Sequence, residues 1–370
     1  MKSQRKCQVI LLGDIILISK FFYLRFIINK SNMIKIVSGK ERDNSIDAVA
    51  GIMILYTILM HLGATNEFGE FVDSLHYVFF SFMAWFFFKA GLFCKIETNF
   101  RQEYEKCRKR LIIPWVTFTF FGLFFYYIRL YVSGDRNWVH YCLSPIKDLF
   151  LSGFTTAVPA LWFIPVLLSV RLFYGYIAGK QYMRSHRILT FLVLLIIFLI
   201  LYLTLNYLRY NSILTLPVYC YSIPIAMVFF LTGGAMKKIH DSKIASFVCL
   251  IGVFLIVRFC FSNVQLMSGK VIEGSSEMVF IIASVMAIIA FDGLLELFSK
   301  VYDFPLLRHF GRNSLAYYGF HVPILDSLIF FGFPHNSICD YILYYITILV
   351  LVYGVIFVIR LCNWQRIIGE

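Results

Sequence analysis

The chain has 370 residues, of which 60% are hydrophobic and only 15% charged, with a net charge of +13. Soluble domains average nearer a quarter charged, yet Ile188–Leu208 and Tyr341–Ile359 carry no charged residue at all. Segments of roughly 20 apolar residues span a ~30 Å hydrocarbon layer. That excludes an ordinary soluble fold and makes the basic excess a signal of membrane topology rather than of nucleic-acid binding.

In chain order, residues 1–40 come first and do not read as a span. Cys7–Ile28 is apolar but holds Asp14, Lys20 and Arg25, each costing about 2.5–3.5 kcal/mol at a bilayer centre. No small-residue cleavage site follows. The stretch is expected to be a cytoplasmic or membrane-surface segment, a poorly ordered tail, or residues upstream of a start at Met33.

Ten apolar segments then fall at about 46–63, 75–93, 111–131, 161–179, 188–208, 213–235, 244–262, 278–298, 312–331 and 340–360. Their continuous apolarity predicts helices, because barrel strands alternate over about ten residues. The expected fold is therefore all-α: a polytopic membrane protein, a bundle of about ten transmembrane helices forming one domain over 41–370. The largest predicted outside loop, Val132–Ala160, is too short for a soluble domain.

Orientation follows from the basic residues. With the segment before the first span inside, the inner connections and C-terminus hold 21 Lys and Arg, whereas the outer loops hold 4: Arg136, Lys147, Arg209 and Lys270. The positive-inside rule then places both termini in the cytoplasm. The 9 cysteines form no CxxC or CxxH pair. They read as packing residues, and no metal site is expected.

Ionisable side chains within such segments are expensive, and each is a functional candidate. His61 lies about 22 Å into the first segment at 1.5 Å per residue, with Thr57, Ile54, Ala50 and Asp47 on the same face. Histidine titrates near neutrality and can take a proton from a hydroxyl. The residues alone leave open a structural histidine bonded to a neighbouring helix. His321, in the ninth segment, carries the same two readings. Asn313 or Ser314 can cap the start of that segment, and Arg312 can hold an anion at its positive end.

Lys89 sits near the end of the second segment, within reach of the interface. Arg171 falls near mid-bilayer in the fourth and needs a carboxylate, a carbonyl or a phosphate. Arg108, Lys109 and Arg110 open the third segment, where they set topology and can also bind phosphates. Arg258, Asp292, Glu296 and Asp326 lie nearer helix ends and are weaker candidates.

Taken in order, several pieces resemble the membrane acyltransferase 3 family, which includes sugar O-acetyltransferases. Arg42…Ile46-Asp47 and Gly51 lead to Met60-His61, and Phe86-Phe87-Phe88-Lys89-Ala90-Gly91 resembles the family's aromatic run before Gly. Lys109-Arg110-Leu111-Ile112-Ile113-Pro114, Leu161-Trp162-Phe163-Ile164-Pro165 and Gly311-Arg312-Asn313-Ser314-Leu315…Tyr318…His321 are similar to three more of its segments.

The resemblance covers about residues 40–360. It implies a cytoplasmic acetyl-CoA donor, a polysaccharide or lipid-linked sugar acceptor, and a catalytic His61. It departs from the family at Ala50, where many members carry Lys or Arg; Lys89 and Arg42 are the cations that can stand in. The expected protein is then an O-acyltransferase of the bacterial inner membrane in contact with membrane lipids, with His61 and His321 catalytic and no nucleic-acid partner. Lys89, Arg108, Lys109, Arg110, Trp162, Arg171, Arg312, Asn313 and Ser314 would bind substrate. The rival class is a transporter or flippase of a glycan or lipid-linked intermediate. Pro217, Pro224 and Gly233-Gly234 interrupt the sixth segment as in a broken transport helix, but no matching segment lies in the other half.

Overall fold

A computed structural model describes residues 44–369, apart from 64–66, 95–99, 135–142, 150–156, 179–185, 214–215, 237–241, 261–276, 300 and 335–336. Residues 1–43 lie outside the described residues, and with them the expectation for the N-terminal segment. Every described element is a helix. In chain order these are α1 (Asn44–Met60), α2 (Glu67–Phe79), α3 (Phe82–Leu92), α4 (Phe100–Cys107), a π turn (Arg108–Ile112) and α5 (Ile113–Ser133). A 3₁₀ turn (Pro159–Trp162) leads into α6 (Phe163–Ala178), followed by α7 (Arg187–Tyr210), α8 (Val218–Ala235), α9 (Lys243–Cys260) and α10 (Glu277–Ser299). Next come α11 (Pro305–Arg312), α12 (Ser314–Phe330), α13 (Ile338–Leu361) and a closing 3₁₀ turn (Gln365–Ile368).

The chain is an all-α polytopic membrane protein. Among the described residues, six helical runs are long and apolar enough to cross a bilayer: Phe68–Leu92, Phe100–Ser133, Pro159–Ile177, Ile188–Tyr210, Glu277–Ser299 and Ile338–Leu361. Each of the ten apolar segments coincides with a helix within a few residues, except at three places. The second begins earlier and is two helices, α2 and α3, broken at the fully buried Phe80 and Ser81. No Pro or Gly marks that break in the sequence.

The third segment extends backwards through a π turn into α4, so Phe100–Ser133 is one rod with the basic run Arg108–Arg110 inside it. Such turns widen a helix locally and often mark functional sites. The ninth is preceded by the separate short helix α11, with the break at Asn313.

Backbone-to-backbone crossings hold the bundle together, because apolar lipid gives helices little hydrophobic reason to associate and close packing must do so instead. A Cβ on Gly51 would strike the Leu307 carbonyl, and one on Gly311 would strike the Asp47 carbonyl, so α1 and α11 run antiparallel in direct contact. Gly91 lies in the same way on the Phe230 carbonyl and Gly233 on that of Phe88, fixing α3 against α8. Aromatic pairs fill the remaining space: Phe118 and Phe121 meet Phe320 edge to face at 4.9 and 4.8 Å, and Phe87 meets Phe163 in a tilted pair at 4.7 Å.

Candidate active site

The helix crossings bring the two candidate histidines together. His61 is the first residue after α1, and its backbone N–H bonds back to the Ile58 carbonyl at 3.1 Å. It therefore sits in the turn closing the helix rather than within it, one turn beyond Thr57. His321 lies in the first half of α12 and is fully buried. The two rings stand edge to face with centroids 4.9 Å apart.

Hydrogen bonding fixes the tautomer of each ring. His61 Nδ1 is 2.7 Å from the Thr57 carbonyl oxygen. His321 Nδ1 is 3.1 Å from the Tyr317 carbonyl oxygen and 2.9 Å from that of Tyr318. A carbonyl can only accept, so both Nδ1 atoms carry the proton, and each neutral ring presents a lone pair at Nε2. His321 Nε2 is buried with no hydrogen-bond partner. His61 is exposed to solvent-sized molecules even though protein crowds most sides of it. The pair thus consists of one sealed imidazole and one accessible imidazole. Tyr318, whose hydroxyl donates to the Ala160 carbonyl, walls His321 at a ring distance of 6.0 Å and ties α12 to the 3₁₀ turn that contains Trp162.

Below the pair, α1 and α11 carry an ionic clamp. Arg312 Nε donates to Asp47 Oδ2 at 3.1 Å, and its Nη2 lies 3.4 Å from Asn44 Oδ1. Arg312 keeps 41% of its side chain exposed, whereas Asp47 keeps 3%, so a face of the guanidinium remains available to an anion. Asn313 does not cap α12 as expected. Its amide donates to the His309 carbonyl at 2.6 Å and its oxygen accepts from Arg360 Nη2 at 2.6 Å, joining α11, α12 and α13. Ser314 is the first residue of α12 and is partly buried.

The other candidates lie in separate groups. Arg171 finds the carboxylate it needs in Glu103, with Nη2 at 2.5 Å and Nε at 3.0 Å. Glu103 keeps 5% of its side chain exposed, and no reading of the sequence singled it out. Its stretch of mixed charge looks like a solvated loop; the usable signal is Glu103 and Cys107 one turn apart on a short amphipathic pattern, and the structure buries both. Arg129 was missed as well. It pairs with Asp326 at 3.1 Å between α5 and α12, and its position inside an apolar segment was the available sign.

Lys89 places its Nζ 4.8 Å from the centre of the Trp85 ring, whose indole N–H donates to the buried Asp292 at 2.8 Å. Trp162 ends the 3₁₀ turn, half-buried against Phe163. Arg108, Lys109 and Arg110 are exposed on the π turn, and Arg108 is held at 2.8 Å by Glu105.

A family model described as an acyltransferase domain, acyltransferase 3, matches residues 43–361. No curated protein and no solved structure matches the chain. The match spans α1 to α13 and takes in both histidines, the Asp47–Arg312 clamp and the π turn. The chain therefore belongs to the acyltransferase 3 family of membrane acyltransferases.

Proposed function

We propose that this acyltransferase is an O-acyltransferase of the bacterial inner membrane. It transfers an acyl group, most simply acetyl, from cytoplasmic acyl-CoA to a hydroxyl of a cell-surface polysaccharide or lipid-linked sugar. The observation that carries the reading is the imidazole pair: two rings with centroids 4.9 Å apart, each oriented at Nδ1 by main-chain carbonyls and each left without a hydrogen-bond partner at Nε2, within an acyltransferase domain. Such a lone pair suits proton removal from an alcohol, a step worth about 10²–10⁴-fold in rate.

His61, the accessible ring, takes the hydroxyl proton at Nε2. The hydroxyl oxygen attacks the thioester carbonyl, the tetrahedral intermediate collapses, and the proton passes to the departing thiolate. His321 is the second acid–base group beside it. The basic surplus of the inner segments supports a cytoplasmic donor side and cytoplasmic termini. Arg108, Lys109, Arg110 and the open face of Arg312 are the cations for donor phosphates.

The test is O-acyl content of surface glycan, read by NMR, in a strain carrying His61→Ala at normal protein level. The expected result is loss of the O-acyl signals that the wild-type gene restores. Acylation at the wild-type level would remove His61 from the mechanism. Release of CoA from labelled acetyl-CoA by the purified protein in lipid distinguishes transfer from transport of an already acylated glycan.

A further inference from the structure

The seam between α5 and α12 holds hydrogen-bonding capacity that the protein leaves unused. Pro114, Phe118, Thr119 and Gly122 form the buried face of α5. Phe118 and Phe121 pack on Phe320, Gly319 lies on the Phe118 ring, and Gly122 faces Pro323. The opposite face, Val116, Phe120 and Phe124, is 54, 72 and 52% exposed and suits lipid. These contacts align residues 118–122 of α5 with 319–323 of α12, which puts Thr119 at the level of His321.

Three buried polar atoms on these two helices have no partner: Trp115 Nε1, Thr119 Oγ1 and His321 Nε2. Thr119 is the telling case. Elsewhere in this bundle the helix hydroxyls Thr57, Thr117, Ser169, Thr232 and Ser327 each donate to the carbonyl four residues back, and Ser284 on α10, away from this seam, is the other buried helix hydroxyl left unpaired among the described residues. Thr119, two residues from Thr117 on the same helix and 6% exposed, does not. Burying a hydroxyl or indole N–H unpaired costs about 1–3 kcal/mol, so their persistence points to a partner that arrives from outside the chain.

The order of the orphans describes that partner. Trp115 Nε1–H can only donate, Thr119 can donate and accept, and the His321 lone pair can only accept. The exposed cations Arg108, Lys109 and Arg110 precede this face directly. Gly369 rests beside the Arg110 carbonyl, Pro114 and Leu315, so the C-terminal turn borders the same end of the seam. From Arg110 to Thr119 is ~14 Å along the rod at 1.5 Å per residue. A molecule that fits has an anionic head, a slender arm of secondary amides and a reactive end at the imidazoles.

We infer that the α5–α12 seam is the track of the donor's phosphopantetheine arm, with Trp115 and Thr119 hydrogen-bonding its amides. The inference rests on the proposal that the donor is an acyl-CoA. Trp115 and Thr119 bind the arm and take no part in the chemistry.

The test uses the full-length protein in lipid nanodiscs and compares two probes. One is CoA; the other is adenosine 3′,5′-bisphosphate, which has a head but no arm. Thr119→Val and Trp115→Phe are each expected to weaken CoA about fivefold to tenfold, the size of one hydrogen bond. The armless probe should bind as to the wild type, and the melting temperature should not fall, because an unpaired group has been removed. Unchanged CoA affinity in both variants would overturn the inference while leaving the acyltransferase reading intact, and would mark the seam as holding water only. An equal loss for both probes, or a lower melting temperature, would also overturn it, by making these residues structural. A wild-type protein that transfers acyl groups from another donor and does not bind CoA would overturn the donor assignment and the seam together.

Discussion

Two polar regions of this bundle, at opposite ends of α1, are built on opposite rules. At the start of α1, Asp47, Arg312, Asn313 and Arg360 are each matched to a partner within 3.1 Å, and Glu103–Arg171 is matched in the same way elsewhere. At the end of α1, His61 and His321 are tightly oriented through Nδ1, yet neither Nε2 has a protein hydrogen-bond partner. Under the proposed function, the difference separates architecture from chemistry. A charge in a membrane bundle must be matched to persist, whereas a group that has to exchange a proton must keep one lone pair free. A third histidine differs in its anchor: His76 is buried with its Nδ1 2.7 Å from the Tyr56 hydroxyl, which can donate as well as accept, so no main-chain carbonyl fixes its tautomer and we assign it to the architecture.

The sharpest way to break this comparison is to separate the two nitrogens of His321. His321→Asn keeps a donor near the Nδ1 position and deletes Nε2, whereas His321→Gln puts an acceptor near Nε2. Acyl transfer is expected to fall about 10²-fold or more in the Asn variant and to be partly restored in the Gln variant, with both proteins folded by size exclusion. Equal activity of the Asn variant and the wild type would make the ring a helix staple.

The next largest effect tests the architectural side. Glu103→Gln strips the partner from Arg171, and loss of one member of a buried pair costs about 3–5 kcal/mol, less here because Arg171 keeps 19% of its side chain exposed. A clear drop in melting temperature in detergent is expected, and the double variant with Arg171→Gln should recover part of it. If melting is unchanged but transfer is lost, Glu103 belongs with the chemistry after all.

Gly311→Ala should be somewhat milder, at about 1–3 kcal/mol, because the new methyl meets the Asp47 carbonyl and must push α1 from α11. Since His61 follows directly on α1, thermal stability and turnover should fall together. The smallest expected effect is that of Tyr56→Phe, about 1 kcal/mol for one hydrogen bond, with turnover at the wild-type level. A large activity loss there would contradict the assignment of His76 to architecture.

Part of this was legible in the sequence because its physics is local. An apolar run long enough to span a bilayer has to close its hydrogen bonds internally, and the ten segments are helices. The cost of burying an ionisable side chain singles out His61, His321, Lys89 and Arg171 without any structure. The same argument required a partner for Arg171 but could not name Glu103, 68 residues away in sequence. The sequence suggests Asn313 as a cap because caps are local, whereas its bonds go to His309 and to Arg360 on another helix. The break at Phe80–Ser81 carries no Gly or Pro and was invisible.

The sequence by itself therefore determined an all-helical membrane chain, its approximate spans, and the residues too costly to be there without a task. Only the tertiary structure decided that residues 61 and 321 share one site, that carbonyls fix both tautomers, and which cations are already matched. The reason is one of range. Hydropathy and helix hydrogen bonding act within a turn or two of chain, whereas pairing across helices depends on where glycines such as Gly51 and Gly311 let two backbones touch, a relation between residues 260 positions apart.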